Sequence, residues 1–204
     1  MSRLPHQVIF INGPRRSGKD TAAGFIVHEW LNVRHKKFAG VMKQTLRALF
    51  SLSDEQWKQF EQSPSGQSKL LKMPQLQNMS WVEALIWFSE DVMKPRFGAD
   101  IFGKLLVEDM RNPTSTALTV ISDCGFVEEV IPVCKAYGAN NCHMFQLFRP
   151  DFSFAEDSRS YLAKEDLPPE MNWHVIQNMH DKDMYRRQIL IRTNKILGTD
   201  RIFD

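Results

Sequence analysis

The sequence is poor in cysteine and has no long apolar run. Three cysteines stand among 204 residues, none of them in a CxxC pair and none at metal-ligand spacing. An odd number of cysteines cannot pair completely, so we expect free thiols in a reducing compartment. No stretch approaches the roughly 18 apolar residues of a membrane-spanning helix, and the first residues lack a charged segment followed by an apolar one. We therefore expect a cytoplasmic protein with no membrane partner.

The sequence also lacks an excess of charge of either sign. Lys and Arg number 26 against 24 Asp and Glu, a formal net charge of +2, and the basic residues are spread along the chain. This balance argues against a tail that binds nucleic acid through charge alone, and we expect no nucleic-acid partner. There is no internal repeat and no low-complexity tract. With 43% hydrophobic residues, the chain is long enough to bury a substantial core as one domain, residues 1–204.

Short apolar runs alternate with segments of helical periodicity along the chain. The patterns predict strands at 8–11, 37–39, 117–122, 143–148 and 174–177, and helices from 19, at 41–52, from 53, and at 81–93, 100–110, 128–137 and 185–197. Residues 62–80 are predicted to be a surface excursion, and 94–98 to interrupt the helices. The alternation predicts an α/β three-layer domain with a central parallel sheet, whose ligand lies at the carboxyl ends of the strands. Within it we predict a helical substrate-binding insertion at about 41–111 and a lid at about 150–170.

The most informative motif follows the first predicted strand. Gly13 and the pair Gly18-Lys19 enclose four residues, which matches GxxxxGK, between an apolar strand and an amphipathic helix. The glycines let successive backbone N–H groups converge on phosphate oxygens, and the helix N-terminus adds partial positive charge. The sequence therefore predicts a triphosphate cradle. The residues assigned to it are Gly13, Arg15, Arg16, Ser17, Gly18, Lys19, Asp20 and Thr21.

Charged residues around this motif are candidates for the chemistry. The position after the lysine, usually Ser or Thr for magnesium, holds Asp20, which is either a Mg²⁺ ligand or an acid favoured by the helix dipole. Asp123 ends an apolar strand, where an acid binds magnesium through water or orients an acceptor. We predict that Lys19, Arg16 and Asp123 are catalytic and that Asp20 and Asp123 serve Mg²⁺. Arg15 is more typical of a solvated loop charge.

Several segments together resemble the deoxynucleoside monophosphate kinases of tailed bacteriophages, a branch of the adenylate-kinase-like P-loop kinases. The loop reads Arg-Ser-Gly-Lys-Asp-Thr, and segments similar to the family's follow in order at 38–53, 97–102, 120–129, 157–160 and 175–178. The resemblance implies a three-layer P-loop kinase fold with a helical insertion and a lid. It further implies transfer of the ATP γ-phosphate to a deoxynucleoside monophosphate with Mg²⁺, in the cytoplasm of a phage-infected bacterium. Whether the chain forms a homodimer stays open.

The resemblance also implies roles for individual cations. Lys43 would contact the acceptor phosphate, and Arg149 and Arg159 would belong to the lid, although each is alternatively a solvated charge. The family has an arginine where this chain has Gly125, and we predict that Arg96 replaces it, with Lys43 as second choice.

Two other functions stay open from the sequence. One is a kinase for another small phosphorylated acceptor, and the other is a catalytically idle nucleotide-binding regulatory protein. The six histidines form no ligand-like pair, and we interpret them as non-functional.

Overall fold

The chain folds into two compact units. The computed structural model describes residues 5–62, 71–111, 116–155, 157 and 159–203. One unit comprises residues 1–38 and 103–204, and the other is Ala39–Phe102. Among the described helices, none combines the length and the apolar character needed to cross a bilayer.

The elements alternate along the chain. In order, the strands are β1 (Gln7–Asn12), β2 (Val33–Lys36), β3 (Lys72–Met73), β4 (Met79–Ser80), β5 (Leu118–Cys124), β6 (Cys142–Phe148) and β7 (Asn172–Gln177). The α-helices are α1 (Lys19–Glu29), α2 (Ala39–Leu49), α3 (Asp54–Gln62), α4 (Trp81–Trp87), α5 (Lys94–Phe97), α6 (Ile101–Met110), α7 (Val127–Tyr137) and α8 (Lys182–Leu197). A π-helical stretch, Phe88–Met93, joins α4 to α5.

A five-stranded parallel sheet forms the centre of the first unit. Its strand order is β2-β5-β1-β6-β7, and every neighbouring pair is parallel. All six residues of β1 are buried, as expected for a central strand covered on both faces. The predicted α/β architecture, a central parallel sheet flanked by helices, is confirmed.

Alternate residues of the strands point to two different layers of helix. On one face, Ile9 and Ile11 pack in a buried cluster with residues of α1 and α8, such as Ile26 and Ile189. On the other face, Phe10 stacks on Phe38 with ring centroids 6.2 Å apart, and the buried Cys134 of α7 lies next to the buried Cys142 of β6. This side-chain alternation follows from the two-residue period of a strand.

The second unit has a small core of its own. The Trp81 side chain is fully buried and stacks on Phe60 at a centroid distance of 5.1 Å. Ser80 and Glu83 form a capping box at the start of α4, in which each side chain accepts the backbone N–H of the other. The hairpin of β3 and β4 leads into this helix.

Three local predictions differ from the structure. The second strand is Val33–Lys36, so 37–39 was wrong; β2 is an edge strand whose residues are mostly polar, which leaves no apolar signal. The interruption predicted at 94–98 falls only at Gly98, where φ is +94°. Pro95 does not break the helix because it lies in the first turn of α5, where proline is tolerated. The excursion predicted at 62–80 contains the β3–β4 hairpin, and its residues 63–70 lie outside the described part of the chain.

Candidate functional site

Polar residues gather where the parallel strands end. The chain leaves β1 at Asn12 and enters the glycine loop, and Lys37 follows β2 directly. Asp123 lies near the end of β5, while Arg149 and Asn178 follow β6 and β7. Because carboxyl ends of parallel strands share one edge of the sheet, these residues share the edge where ligands of such folds bind.

The loop between β1 and α1 uses glycine where another residue does not fit. A Cβ at Gly13 would lie 2.9 Å from the carbonyl oxygen of Leu147 and 2.8 Å from Ser17 Oγ. Gly18 has φ of +104°, and Arg16 adopts φ of +62° although it has a side chain. These conformations turn the backbone through the tight curve that a phosphate cradle requires.

Three side chains hold this loop by its carbonyl groups. Arg149 Nη1 donates to the Arg16 carbonyl over 2.7 Å, and Asn178 Nδ2 donates to that of Ser17 over 2.9 Å. The Tyr185 hydroxyl donates to the Gly18 carbonyl over 3.0 Å. These bonds fix three carbonyl groups of the loop, and the Ser17 N–H donates to the Pro14 carbonyl oxygen at 3.2 Å. Arg149 therefore supports the loop backbone, which the lid assignment did not anticipate.

Lys19 carries the positive charge of the loop. Its Nζ donates to the carbonyl oxygens of Gly13 and Pro14, each at 2.6 Å. Burial and, second, the charge of Arg159 lower the pKa of Lys19 to about 8. The lowered pKa reflects an ammonium group with little surrounding water. Its charged form is stabilised when an anion approaches it.

The start of α1 and the adjoining Ser17 hydroxyl are also suited to an anion. Among the described residues no side chain caps the helix, whose N-cap is Gly18, so its first N–H groups are not used by a capping residue. Ser17 is fully buried, and its Oγ has no hydrogen-bond partner among the described residues. A buried unsatisfied hydroxyl inside this glycine loop is consistent with a ligand oxygen as its partner.

Asp20 is anchored by neighbours that the sequence did not reveal. Its Oδ1 accepts the Ser122 hydroxyl at 2.6 Å and lies 2.9 Å from Lys37 Nζ, while His35 Nε2 lies 2.6 Å from Ser122 Oγ. The single Ser122 proton points at the carboxylate, so His35 donates from Nε2. Partial burial acts to raise the pKa of Asp20, but hydrogen bonds from Ser122 and Lys37 outweigh it and the pKa is lowered. This network links α1 to β2 and β5.

Two carboxylates near the loop are candidates for magnesium. Asp123 accepts the Phe38 N–H through Oδ1 at 2.8 Å, and Asp20 is bound through Oδ1 as well. In the described residues, no group of three or more His, Cys, Asp or Glu side chains forms a metal cage. Magnesium at phosphates is typically held by one or two carboxylates, phosphate oxygens and water. Asp123 and Asp20 are acids of the type that such a site uses, in which phosphates supply part of the coordination.

Asn12 connects the strand ends to the segment after β6. It is fully buried, and its Nδ2 donates to the carbonyl groups of Cys124 and Ser160 at 3.1 and 3.0 Å. Its Oδ1 accepts the Leu162 N–H at 3.2 Å and lies 3.5 Å from Gln146 Nε2. One amide thus fixes residues 160–162 beside β1 and β5.

Arg159 lies against Gly125, the position that the sequence resemblance singled out. A Cβ at Gly125 would lie 2.4, 2.5 and 2.8 Å from Cδ, Cγ and Cβ of Arg159. The guanidinium is held by Asp157, which accepts from Nε at 2.9 Å and from Nη2 at 2.7 Å. Gly125 does not have a positive φ, so close packing of Arg159 is what demands glycine there.

The structure brings most of the assigned residues into one unit. The loop residues, Asp123, Arg149 and Arg159 belong to the first unit, whereas Lys43 in α2 and Arg96 in α5 belong to the second. Ser158 of the lid motif lies outside the described residues. Sequence reasoning missed several residues of the site, namely Asn12, His35, Lys37, Ser122, Asp157, Asn178 and Tyr185. Asn12, Lys37 and Asn178 had a usable signal, because each is a polar residue at or just after a strand end.

Comparison with known proteins gives little further information. No family model and no curated protein matches the chain. A solved structure described as the crystal structure of TT1252 from Thermus thermophilus is similar at 16% identity, over 93% of this chain and 98% of that one, with a TM-score of 0.40. A similarity of this level decides neither fold nor function.

Proposed function

We propose that the protein is an ATP- and magnesium-dependent kinase that transfers the γ-phosphate of ATP to a deoxynucleoside monophosphate. The observation that carries this proposal is the loop from Gly13 to Lys19, at the carboxyl end of the central strand of a parallel sheet. Its strained backbone, buried Ser17 hydroxyl and lysine of low pKa suit a polyphosphate. The choice of acceptor comes from the resemblance to the phage kinases.

Transfer between two phosphates needs alignment and charge neutralisation more than covalent chemistry. In this proposal the loop N–H groups and Lys19 bind the donor phosphates, and Arg16 lies on the same loop. Asp123 and Asp20 would hold Mg²⁺, which neutralises phosphate charge when bound. Lys43 and Arg96 are the cations proposed to contact the acceptor.

The test is an assay of ADP release from ATP and Mg²⁺ with dTMP, dGMP and dCMP as acceptors. We expect turnover with at least one of them and a fall of at least about a hundredfold in Lys19→Ala, because the change removes a preorganised charge from the phosphates. Lys135→Ala, an exposed lysine of α7, is the matched control and should keep parent activity. Activity of Lys19→Ala within about threefold of the parent would refute the assignment of the loop.

The same assay distinguishes the remaining functions. ATP binding that depends on Lys19, without ADP release for any monophosphate, would contradict the proposed activity and favour a nucleotide-binding protein. Turnover confined to a phosphorylated acceptor other than a nucleotide would place the protein among other small-molecule kinases.

A further inference from the structure

Gly125 lies very close to the side chain of Arg159. Among the described glycines near the ends of the parallel strands, an added Cβ at Gly125 would have the shortest distances to another side chain. The three Arg159 atoms involved are Cβ, Cγ and Cδ, which form the stem of the side chain next to the backbone. Rotation of the distal guanidinium therefore cannot clear the space for a side chain at 125. A side chain at position 125 and the stem of Arg159 therefore exclude each other, because both would occupy the same space.

The segment that carries Arg159 is fixed to the ends of the central strands. Asn12 donates to the Ser160 carbonyl and accepts the Leu162 N–H, and Gln146 donates to the Leu162 carbonyl over 3.0 Å. The arginine thus approaches the end of β5 from a segment after β6, held on an amide at the end of β1.

The Arg159 guanidinium is positively charged, and only some of its N–H donors are hydrogen-bonded to described residues. Its side chain is 23% exposed, and that of Asp157 is 8% exposed. Among the described residues, Asp157 bonds Nε and Nη2, which leaves the Nη1 donors for another acceptor. Arg159 and Lys19 are close enough to repel each other electrostatically, and Asp123 and Asp157 attract both of them. Two cations held together beside a phosphate loop form a site for an anion that both contact.

We propose that Arg159 provides the guanidinium that position 125 lacks, reaching over Gly125 to bind a phosphoryl group together with Lys19. Asp157 orients the fork of Arg159 and does not itself contact the phosphate. The phosphoryl group belongs to the donor, as its terminal phosphate, or to the acceptor monophosphate. This inference rests on the proposed function for the identity of the ligands, whereas the exclusion between 125 and 159 does not.

The exclusion is tested by a double-mutant cycle. Gly125→Ala should lower the midpoint of thermal unfolding, because its Cβ overlaps Arg159, and should lose most of that effect in an Arg159→Gly background. Alanine at 159 is unsuitable for the cycle, since Cβ of Arg159 would still lie 2.8 Å from the new Cβ. Gly24→Ala is the matched control: nothing lies within 4 Å of its added Cβ on α1, so no loss is expected. Additive effects of the 125 and 159 changes would overturn the proposed fit.

Phosphate binding is tested by calorimetry with ATP and with the three monophosphates. Arg159→Ala should weaken at least one class of ligand by at least about tenfold, since a charge-assisted pair is lost. Arg159→Lys should restore only part of the loss because it lacks the fork. Arg187→Ala, an exposed arginine of α8, should bind like the parent. An effect on ATP alone identifies the donor phosphate, and an effect on monophosphates alone identifies the acceptor phosphate.

The two failures are distinguishable. Loss of ATP binding in Lys19→Ala with parent affinities for every ligand in Arg159→Ala would leave the phosphate loop standing and overturn the role of Arg159. Unchanged ATP binding in Lys19→Ala would overturn the proposed function itself, and with it a phosphoryl group shared by Lys19 and Arg159.

Discussion

At the scale of single residues, the site contains a partly desolvated ammonium group, that of Lys19, which is hydrogen-bonded to backbone carbonyl groups. Lys19 Nζ bonds the Gly13 and Pro14 carbonyl oxygens, which are weak partners compared with a phosphate anion. Burial removes the water that would otherwise stabilise its charge, and the pKa falls to about 8. The residue is therefore neutralised within an ordinary pH range unless an anion binds.

This low pKa predicts a pH dependence of ATP binding. The phosphates bind the charged form of Lys19, which in the free protein is lost as pH rises through about 8. Affinity should be nearly constant from pH 7 towards 8 and fall by up to about tenfold per pH unit above it, as one proton is linked to binding. Phosphate monoesters, with a pKa of about 6, are already ionised over this range. The measurement is the dissociation constant of ATP by calorimetry between pH 7 and 9.5.

Lys19→Arg is the control for this profile. A guanidinium keeps its charge over the whole range, so the affinity of the variant for ATP should not change with pH. A wild-type affinity that is equally flat would show that the charge of Lys19 does not control binding.

At the scale of elements, the ends of the strands are joined by side-chain amides. Asn12 at the end of β1 bonds Cys124 of β5 and the segment at Ser160 and Leu162. Asn178, after β7, holds the Ser17 carbonyl of the loop. Such buried amides satisfy backbone groups of chain segments that have left the sheet and have lost their ladder partners.

Asn12→Ala should destabilise the protein by at least about 2 kcal/mol, because it leaves several buried backbone groups without a partner. Phosphate affinity should fall with it, since residues 160–162 lose their anchor beside Arg159. The free energy of unfolding in urea measures the first effect, and ATP calorimetry the second. Asn32→Ala, an exposed asparagine with no side-chain hydrogen bond found in the described residues, should change stability by less than about 0.5 kcal/mol.

At the scale of the whole molecule, the phosphate loop and the sheet belong to one unit and the helical insertion to another. The insertion was predicted at about 41–111, and the second unit is Ala39–Phe102, so most of α6 belongs with the sheet. Gly103 explains this boundary: a Cβ there would lie 2.4 Å from the Glu129 carbonyl oxygen of α7. At the other boundary, the Phe38 ring stacks on Phe10, and its backbone N–H donates a hydrogen bond to Asp123 Oδ1. Phe38 and Gly103, the residues on either side of the second unit in sequence, thus pack within the first unit.

Replacement of residues 39–102 by a flexible Gly/Ser linker should leave a folded protein that still binds ATP. The buried cluster around β1 contains no described residue of the insertion, so the cluster itself is retained. We expect cooperative thermal unfolding, ATP affinity within about tenfold of the parent, and no ADP release with any monophosphate. A folded variant that no longer binds ATP would show that the insertion also contributes to the donor site.

The sequence by itself determined the glycine loop, the helix after it and the alternation that predicts a parallel sheet. These features are local: glycine spacing, a β-branched apolar run and helical periodicity each involve residues near one another in the chain. The tertiary structure alone decided that Arg159 lies against Gly125 and that Asp20 is bonded to Ser122 and Lys37. Those contacts depend on which strands are neighbours and where each strand ends, and side-chain periodicity carries no information about strand order. Position 125 therefore looked like a missing cation in the sequence, and only the folded chain shows that the Arg159 side chain packs against it.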